Sequence, residues 1–340
     1  MWRFAKAGFF TRRSDGRRVE RRRCDACRRY FSTQTFSPTY WMKRPDLQRP
    51  VFHRLVGCSG FRQIAREFDV SPQTILTHTA RLGRHALLFH EQNRPAGPLT
   101  EPVVLDSFQS FEWSQDHPTL FHLVTGQRSH FTYGFTETEL RRSGRMTDEQ
   151  KVRRKISEAR LGRPDPRSTE KEVASVLAIV TTPGHAVTLH SDQHTDYPRA
   201  LKRLPDRRFV HETISSRQAR TSRNPLFPVN LLDLLIRHSG ANHKRETIAF
   251  SKRRQGAIDR LWVFLTWRNW IKSFSEQKRD GSPAMRLGIT EQRLQPEALL
   301  GHRLFPGRIG LPERWKSHYQ RTTPTRRIAR IATHRLKYAF

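Results

Sequence analysis

Two short runs decide how this chain is read: Pro-Val-Val-Leu-Asp-Ser-Phe at 102–108 and Ala-Val-Thr-Leu-His-Ser-Asp at 186–192. Both are apolar and strand-like. Asp106 sits inside the first and Asp192 ends the second. An ionised carboxylate among buried strand residues is costly unless it is paired or holds a metal. The surrounding chain is strongly basic. Its 340 residues carry 63 Lys and Arg against 31 Asp and Glu, a net charge of +32, and the pI is about 11.4. Two such acids in a basic protein point to a cation site facing a polyanion. That is the chemistry of an enzyme that cuts or joins DNA strands.

Composition narrows the classes further. The charge recurs in every segment, so it reads as an electrostatic footprint for phosphate backbones rather than as one solvated tail. No run of about 18 apolar residues exists and no signal peptide precedes the basic start, which argues against a membrane partner. Three cysteines do not make a disulfide framework, and a reducing cytoplasm fits them.

Outward from the two runs, the order of segments is informative. Around Asp106, apolar or aromatic stretches near 102–112, 119–125 and 130–136 predict an antiparallel meander. A densely charged insertion follows at 141–167. Then come a helix at 169–181, a strand at 185–190 leading to Asp192, a helix near 195–204 and a strand near 207–212. Three antiparallel strands followed by helix–strand alternation predict a mixed sheet flanked by helices. An apolar stretch occupies 227–237. A long amphipathic helix is expected from about 244 to 273, with Ile258, Leu261, Trp262, Leu265 and Ile271 as its buried stripe.

Upstream, Phe61, Ile64, Ala65 and Phe68 share one helix face. After a break at Asp69-Val70, Ser71 is a good N-cap and Pro72 fits the first helical position. The pattern is helix 61–68, turn, helix 72–83. Gln73, Thr74, Thr77, His78 and Arg81 are then expected on the outward face, able to read base edges in a major groove. Further upstream, Arg21-Arg22-Arg23-Cys24-Asp25-Ala26-Cys27 holds one Cys-x-x-Cys. Structural zinc needs four ligands. Cys24 and Cys27 therefore form a partial site at most, to be completed by a ligand such as His53 or by a second chain; a metal-free hairpin is the plainer reading.

The order of these pieces resembles bacterial insertion-sequence transposases of the DDE type. They are the Cys-Asp-Ala-Cys segment with Phe31-Ser32-Thr33-Gln34-Thr35, the helix-turn-helix at 61–83, Val-Val-Leu-Asp106, His-Ser-Asp192 with Tyr197 five residues on, and Ala-Asn-His-Lys-Arg-Glu246-Thr. The resemblance covers nearly the whole chain. It implies a multidomain α+β or α/β protein: a zinc-ribbon remnant (1–45), a helix-turn-helix DNA-binding domain (46–92), a linker (93–101), a ribonuclease-H-like catalytic domain (102–274, with the basic insertion 141–167) and a basic C-terminal tail (275–340) ending in a basic amphipathic helix. It also implies three acids holding two Mg²⁺ (or Mn²⁺) ions, with the second acid just past a fourth strand that pairs beside the first.

Asp106 and Asp192 match the first two places. Glu246 is the choice for the third, with Asp233 or Glu212 as alternatives, and Lys244 and Arg245 are expected on the DNA backbone. The partners implied are element terminal inverted repeats and target DNA, bound by a homo-oligomer at the nucleoid. The first Cys-x-x-Cys of such a ribbon is absent, which fits an N-terminally shortened, impaired copy. The rival expectation is an inactive relic, or a helix-turn-helix protein that grips DNA without cutting it.

Overall fold

A computed structural model of the chain describes residues 3–325, with Ser14, Phe36, Ser216 and Glu246 excepted. The chain opens with a small antiparallel sheet of β1 (Phe4–Thr11), β2 (Arg18–Cys24) and β3 (Tyr30–Ser32). Three helices follow: α1 (Gln48–Val56), α2 (Phe61–Glu67) and α3 (Pro72–Asn93). The break between α2 and α3 falls where the sequence places it. Ser71 caps α3 by accepting a hydrogen bond from the Thr74 amide, and Pro72 begins the helix. Asp69 takes the left-handed conformation there, φ 48°, which Asp tolerates better than most residues.

The main sheet begins with a meander of β4 (Val103–Phe111), β5 (Pro118–Gly126) and β6 (Thr132–Glu139). Next come α4 (Asp148–Leu161), α5 (Ser168–Val180), β7 (Ala186–Asp192), α6 (Asp196–Lys202) and β8 (Arg208–Ile214). The strand order is β6-β5-β4-β7-β8. β4 is antiparallel to β5 but parallel to β7, and β7 is parallel to β8. Then follow α7 (Phe227–Ser239), α8 (Arg254–Thr266) with a π turn at Trp267–Ile271, and the short helices α9 (Pro283–Arg286), α10 (Pro296–Gly301) and α11 (Glu313–Gln320). The chain is thus α+β, with a five-stranded mixed sheet flanked by helices.

Alternation along β4 assigns its two faces. Val103 and Leu105 join a core with Val173 and Leu177 of α5 and with Tyr197 and Ala200 of α6. Val104 and Phe108 join a second core with Val229, Leu232 and Ile236 of α7 and with Ile258, Leu261 and Trp262 of α8. The first core also takes in Val51 and Phe52 of α1, Ile64 of α2, and Ile75 and Leu82 of α3. Apolar packing therefore runs unbroken across the 93–101 segment that reads as a linker, and α3 lies along α8. At their crossing, a Cβ on Gly83 would stand 2.7 Å from Asp259 Cα and 2.8 Å from its carbonyl oxygen. Only a residue without a side chain lets the two helices approach so closely.

Three expectations are corrected here. α3 continues to Asn93 rather than ending near 83, because almost every residue from His78 to His90 is buried. A helix buried all round shows no polar face in its sequence. The expected helix at 244–273 starts only at Arg254, and its last turn widens into the π segment. Lys244, Arg245 and 247–253 lie outside it. The C-terminal segment is more than a basic tail. Trp315 of α11 is fully buried, donates its indole N–H to the Phe135 carbonyl at 2.9 Å, and lies where a Cβ on Gly134 would strike its ring. The expected basic helix at the extreme C-terminus lies outside the described residues.

Alanine in place of an unhindered helical glycine stabilises by about 0.5–1 kcal/mol. Gly83→Ala is expected to do the opposite, lowering stability by about 1–3 kcal/mol through overpacking against α8. Urea melts of the two proteins check the sign; a gain would show that α3 and α8 do not meet so closely.

Candidate active site

The β4–β7 ladder pairs Val103 with Leu189, Val104 with His190 and Leu105 with Ser191. The next residues in line are Asp106 and Asp192. Directly opposed residues of neighbouring strands point to the same face, about 4.8 Å apart. Asp192 in turn pairs with Ile214, which belongs to the core beneath α7. Both aspartates therefore lie on the α7 face of the sheet, where the strands leave their ladder, and both are half-buried.

Asp106 accepts a hydrogen bond from the Ser107 amide at 2.6 Å, and Asp192 accepts one from His194 N at 3.0 Å. Burial pushes the Asp106 carboxyl up to about 6, with the charges of Asp192 and Asp233 adding to the rise; the Ser107 amide and Arg220 oppose it. The field at Asp106 thus identifies a third carboxylate on this face. Asp233, one of the two alternatives weighed for the third acid, sits on α7 beside its buried stripe. Its carboxylate is held by Arg237 Nε at 3.0 and 3.1 Å. Arg237 also donates to the carbonyls of His243 (3.1 Å) and Gln109 (3.3 Å), which ties α7 to β4. Glu212, the other alternative, lies 3.2 Å from His190 Nδ1. Glu246 lies outside the described residues.

The opposite face of β4 is closed. Ser107 Oγ lies 2.7 Å from His122 Nδ1 and 3.2 Å from the Tyr197 hydroxyl. Burial lowers His122 to about 3, so its ring is neutral, and burial raises Tyr197 well above the usual phenol range. A buried neutral phenol on the far side of the sheet suits packing of α6, not attack on a phosphodiester. His243 is likewise enclosed. Its ring lies against Phe108 and Phe121, and burial lowers it to about 3.

The residues expected to touch DNA divide. Gln73 and Thr77 are exposed and Thr74 is half-buried, on the first turns of α3; Lys244 and Arg245 are exposed. His78 does not face outward. It is buried, with Nδ1 2.7 Å from Gln48 Oε1 of α1. It lies one turn from Ile75 and beside Thr79, so the α1 contact draws it inward. Arg81 is half-buried, with its Nε enclosed and without a partner. In the first sheet, Cys24 is buried and Cys27 exposed, in the turn where the Arg28 amide bonds to the Cys24 carbonyl at 3.0 Å.

Oxygen donors such as Asp106, Asp192 and Asp233 suit hard divalent cations. The Asp106 carboxyl is raised first by its burial and then by the neighbouring carboxylates. Among the described residues, no three His, Cys, Asp or Glu side chains converge closely enough to share one ion. A third ligand would come from Asp233 released by Arg237, or from Glu246. Sequence reading missed Arg220 because it lies in an irregular stretch with no periodicity. No known protein-family model matches this chain, and no curated protein matches it.

The raised Asp106 carboxyl has a pH consequence. Folding is penalised as pH climbs from about 4 (the ordinary carboxyl value) through about 6, and the penalty is complete above that. Asp106→Asn is expected to stabilise the metal-free protein at pH 7.5 by about 1–3 kcal/mol, and to be neutral near pH 3.5. Mg²⁺ should raise the melting midpoint of the unaltered protein at pH 7.5 but not that of the variant. Thermal melts at both pH values, with and without Mg²⁺, decide it; equal midpoints throughout would remove the cation role.

Proposed function

We propose that the chain is a DNA transposase of the DDE type, acting through a ribonuclease-H-like core that cleaves and rejoins phosphodiester strands. The observation that carries this reading is the neighbourhood of Asp106 and Asp192 at the end of the central parallel pair, within the order β6-β5-β4-β7-β8. The resemblance implies that arrangement: a first acid on the first strand, and a second just past a fourth strand lying beside it. The net charge of +32 supports a polyanionic substrate.

In this reading Asp106 and Asp192 hold divalent cations, with Asp233 or Glu246 as the third ligand. Bound Mg²⁺ would neutralise charge at phosphorus and make a water a better nucleophile. The protein's own contributions are separate. The closed Ser107–His122–Tyr197 contacts behind β4 fix the backbone that carries Asp106. Arg220 moderates the acidic cluster, and Arg237 holds Asp233 at the β4 edge. The exposed Gln73 and Thr77 at the start of α3, with Lys244 and Arg245, would meet DNA. End recognition by α3 would select the site, and a dimer or larger assembly would pair two ends.

The grip of Arg237 on Asp233 favours a second reading, a DNA-binding relic without cleavage. One experiment separates the two. On a duplex carrying the element end, Asp106→Asn should lower Mg²⁺-dependent cleavage at least a hundredfold, an effect of about 3 kcal/mol or more on the barrier, and leave end binding within about twofold. Asp233→Asn and Glu246→Gln in parallel assign the third acid to whichever loses cleavage. Binding with no cleavage by the unaltered protein in Mg²⁺ or Mn²⁺ selects the relic.

A further inference from the structure

Where α3 passes the start of the helical region, a small cleft of about 30 Å³, open to solvent, is lined by Ser37, Pro38, Arg81, Arg84, His85, Leu88 and Leu304. Two guanidinium groups border it from successive turns of one helix. Arg84 is only 4% exposed. Among the described residues its Nη1 is buried without a partner, as is Arg81 Nε, and its one hydrogen bond there is a long contact from Nε to the Ala80 carbonyl at 3.4 Å. An unpaired buried cation costs several kcal/mol. Burial correspondingly lowers Arg84 to about 10.

The nearby acid answers this charge only through space. Asp259 faces Arg84 across the α3–α8 contact, but its oxygens are taken by Gln255 Nε2 at 2.9 Å and Arg321 Nη1 at 2.9 Å. Tyr319 sets its ring 5.8 Å from the Arg84 guanidinium carbon, and its buried hydroxyl makes no hydrogen bond to either arginine among the described residues. Arg321 adds a further positive charge. Burial also lowers His85 to about 4, so its ring is neutral, and Nε2 lies 2.8 Å from the Leu299 carbonyl. What remains is a small cleft with two guanidinium groups, a half-buried serine hydroxyl and an apolar wall of Leu88 and Leu304.

We propose that this cleft binds a single tetrahedral oxyanion, a phosphate group, held by Arg84 and Arg81 with Ser37 at the rim. A guanidinium fork matches phosphate oxygens in geometry and charge. The phosphate is either one of a DNA backbone, which rests on the strand-transfer reading, or free phosphate, which does not. The cleft sits on α3 but away from its exposed first turns. A backbone phosphate there would register the duplex on the protein without reading sequence.

The test uses the full chain and three variants, Arg84→Met, Arg81→Gln and Ser37→Glu. Ser37→Glu leaves both arginines in place and puts a carboxylate into the cleft, so it keeps the question open should Arg84→Met fail to fold. Inorganic phosphate is titrated against chloride at equal ionic strength while the melting midpoint is followed. Duplex binding is then measured from 50 to 200 mM salt. A saturable phosphate-dependent rise in the unaltered protein, lost in the variants, supports the site and a free-phosphate source. No such rise, but a log–log salt slope shallower by about 1 in Arg84→Met or Ser37→Glu, supports the site with a DNA phosphate as its occupant. Identical phosphate response and identical slope in all four proteins overturn the proposal. The phosphate titration needs neither DNA nor cleavage, so its failure is distinguishable from failure of the transposase reading.

Discussion

The parallel pairing of β4 with β7 is the constraint on which everything else depends. It is short, with three residue pairs from Val103–Leu189 to Leu105–Ser191, whereas β4 pairs with β5 along its full length from Val103 to Phe111. The two strands separate just where their sequences turn from apolar to acidic. Had the pairing continued, two carboxylates would be locked side by side within a closed ladder. By ending at Leu105 and Ser191, it leaves Asp106 and Asp192 adjacent but reachable. A slip of one residue in β4 would turn Asp106 toward α5 and α6 and bring Ser107 to the α7 face. Packing opposes such a slip, because Val103 and Leu105 are fully buried in one core and Val104 in the other.

The two faces of β4 carry opposite solutions to polarity. Behind the strand, Ser107 Oγ is bonded to His122 and Tyr197, burial holds the two ionisable groups neutral, and His122 Nε2 is buried without a partner among the described residues. In front of it, Asp106, Asp192 and Asp233 share one region with little to neutralise them beyond Arg220 and Arg237. The closed network buries no charge, so its cost is limited to that one unpartnered ring nitrogen. The acidic cluster is costly, and bound cations are what would relieve it. A face on which a fold keeps costly like charges is a candidate functional face, and that is the ground for the proposed cation role.

How far the sequence could be read follows from the range of the interactions. The meander, α5, β7, α6, β8 and α7 were legible from local periodicity, because each buries one face or one short run. Asp106 and Asp192 were legible as acids in apolar strands, and their adjacency followed once a fourth strand was placed beside the first. Asp233 could be named only as an alternative, since it becomes relevant through α7 folding over β4. His78 was misplaced because its partner, Gln48, lies thirty residues away. The start of α8 was misjudged because the irregular stretch before it is held by distant contacts. Asn242 bonds to Ser251, and Phe250 lies against Phe111. The role of α11 was invisible for the same reason. Glu137 receives Arg314 and His318 from far along the chain, and a buried acid answered by such remote side chains leaves no local pattern.

Arginine itself needs a more careful reading than net charge allows. Several of the guanidinium groups behind the +32 total are internal. Arg254 is clamped between Glu112 and Glu139, and Arg314 between Glu137 and Glu172. Arg260 donates to the Ser59 carbonyl at 2.9 Å and covers the Phe61 ring. Arg268 lies over the Phe274 ring. Arginine suits such places because its delocalised charge is weakly hydrated and stacks on aromatic rings. Each of these groups has a carboxylate, a carbonyl or a close ring as its counterpart, and so contributes more to architecture than to attraction of DNA. The field that a polyanion meets comes from the remaining arginines and lysines. These are the exposed residues of β1, β2, α4 and the 244–245 turn, together with Arg81 and Arg84, which form no ion pair among the described residues. Affinity for a phosphate backbone should therefore follow how these groups are placed, and the total charge overstates it.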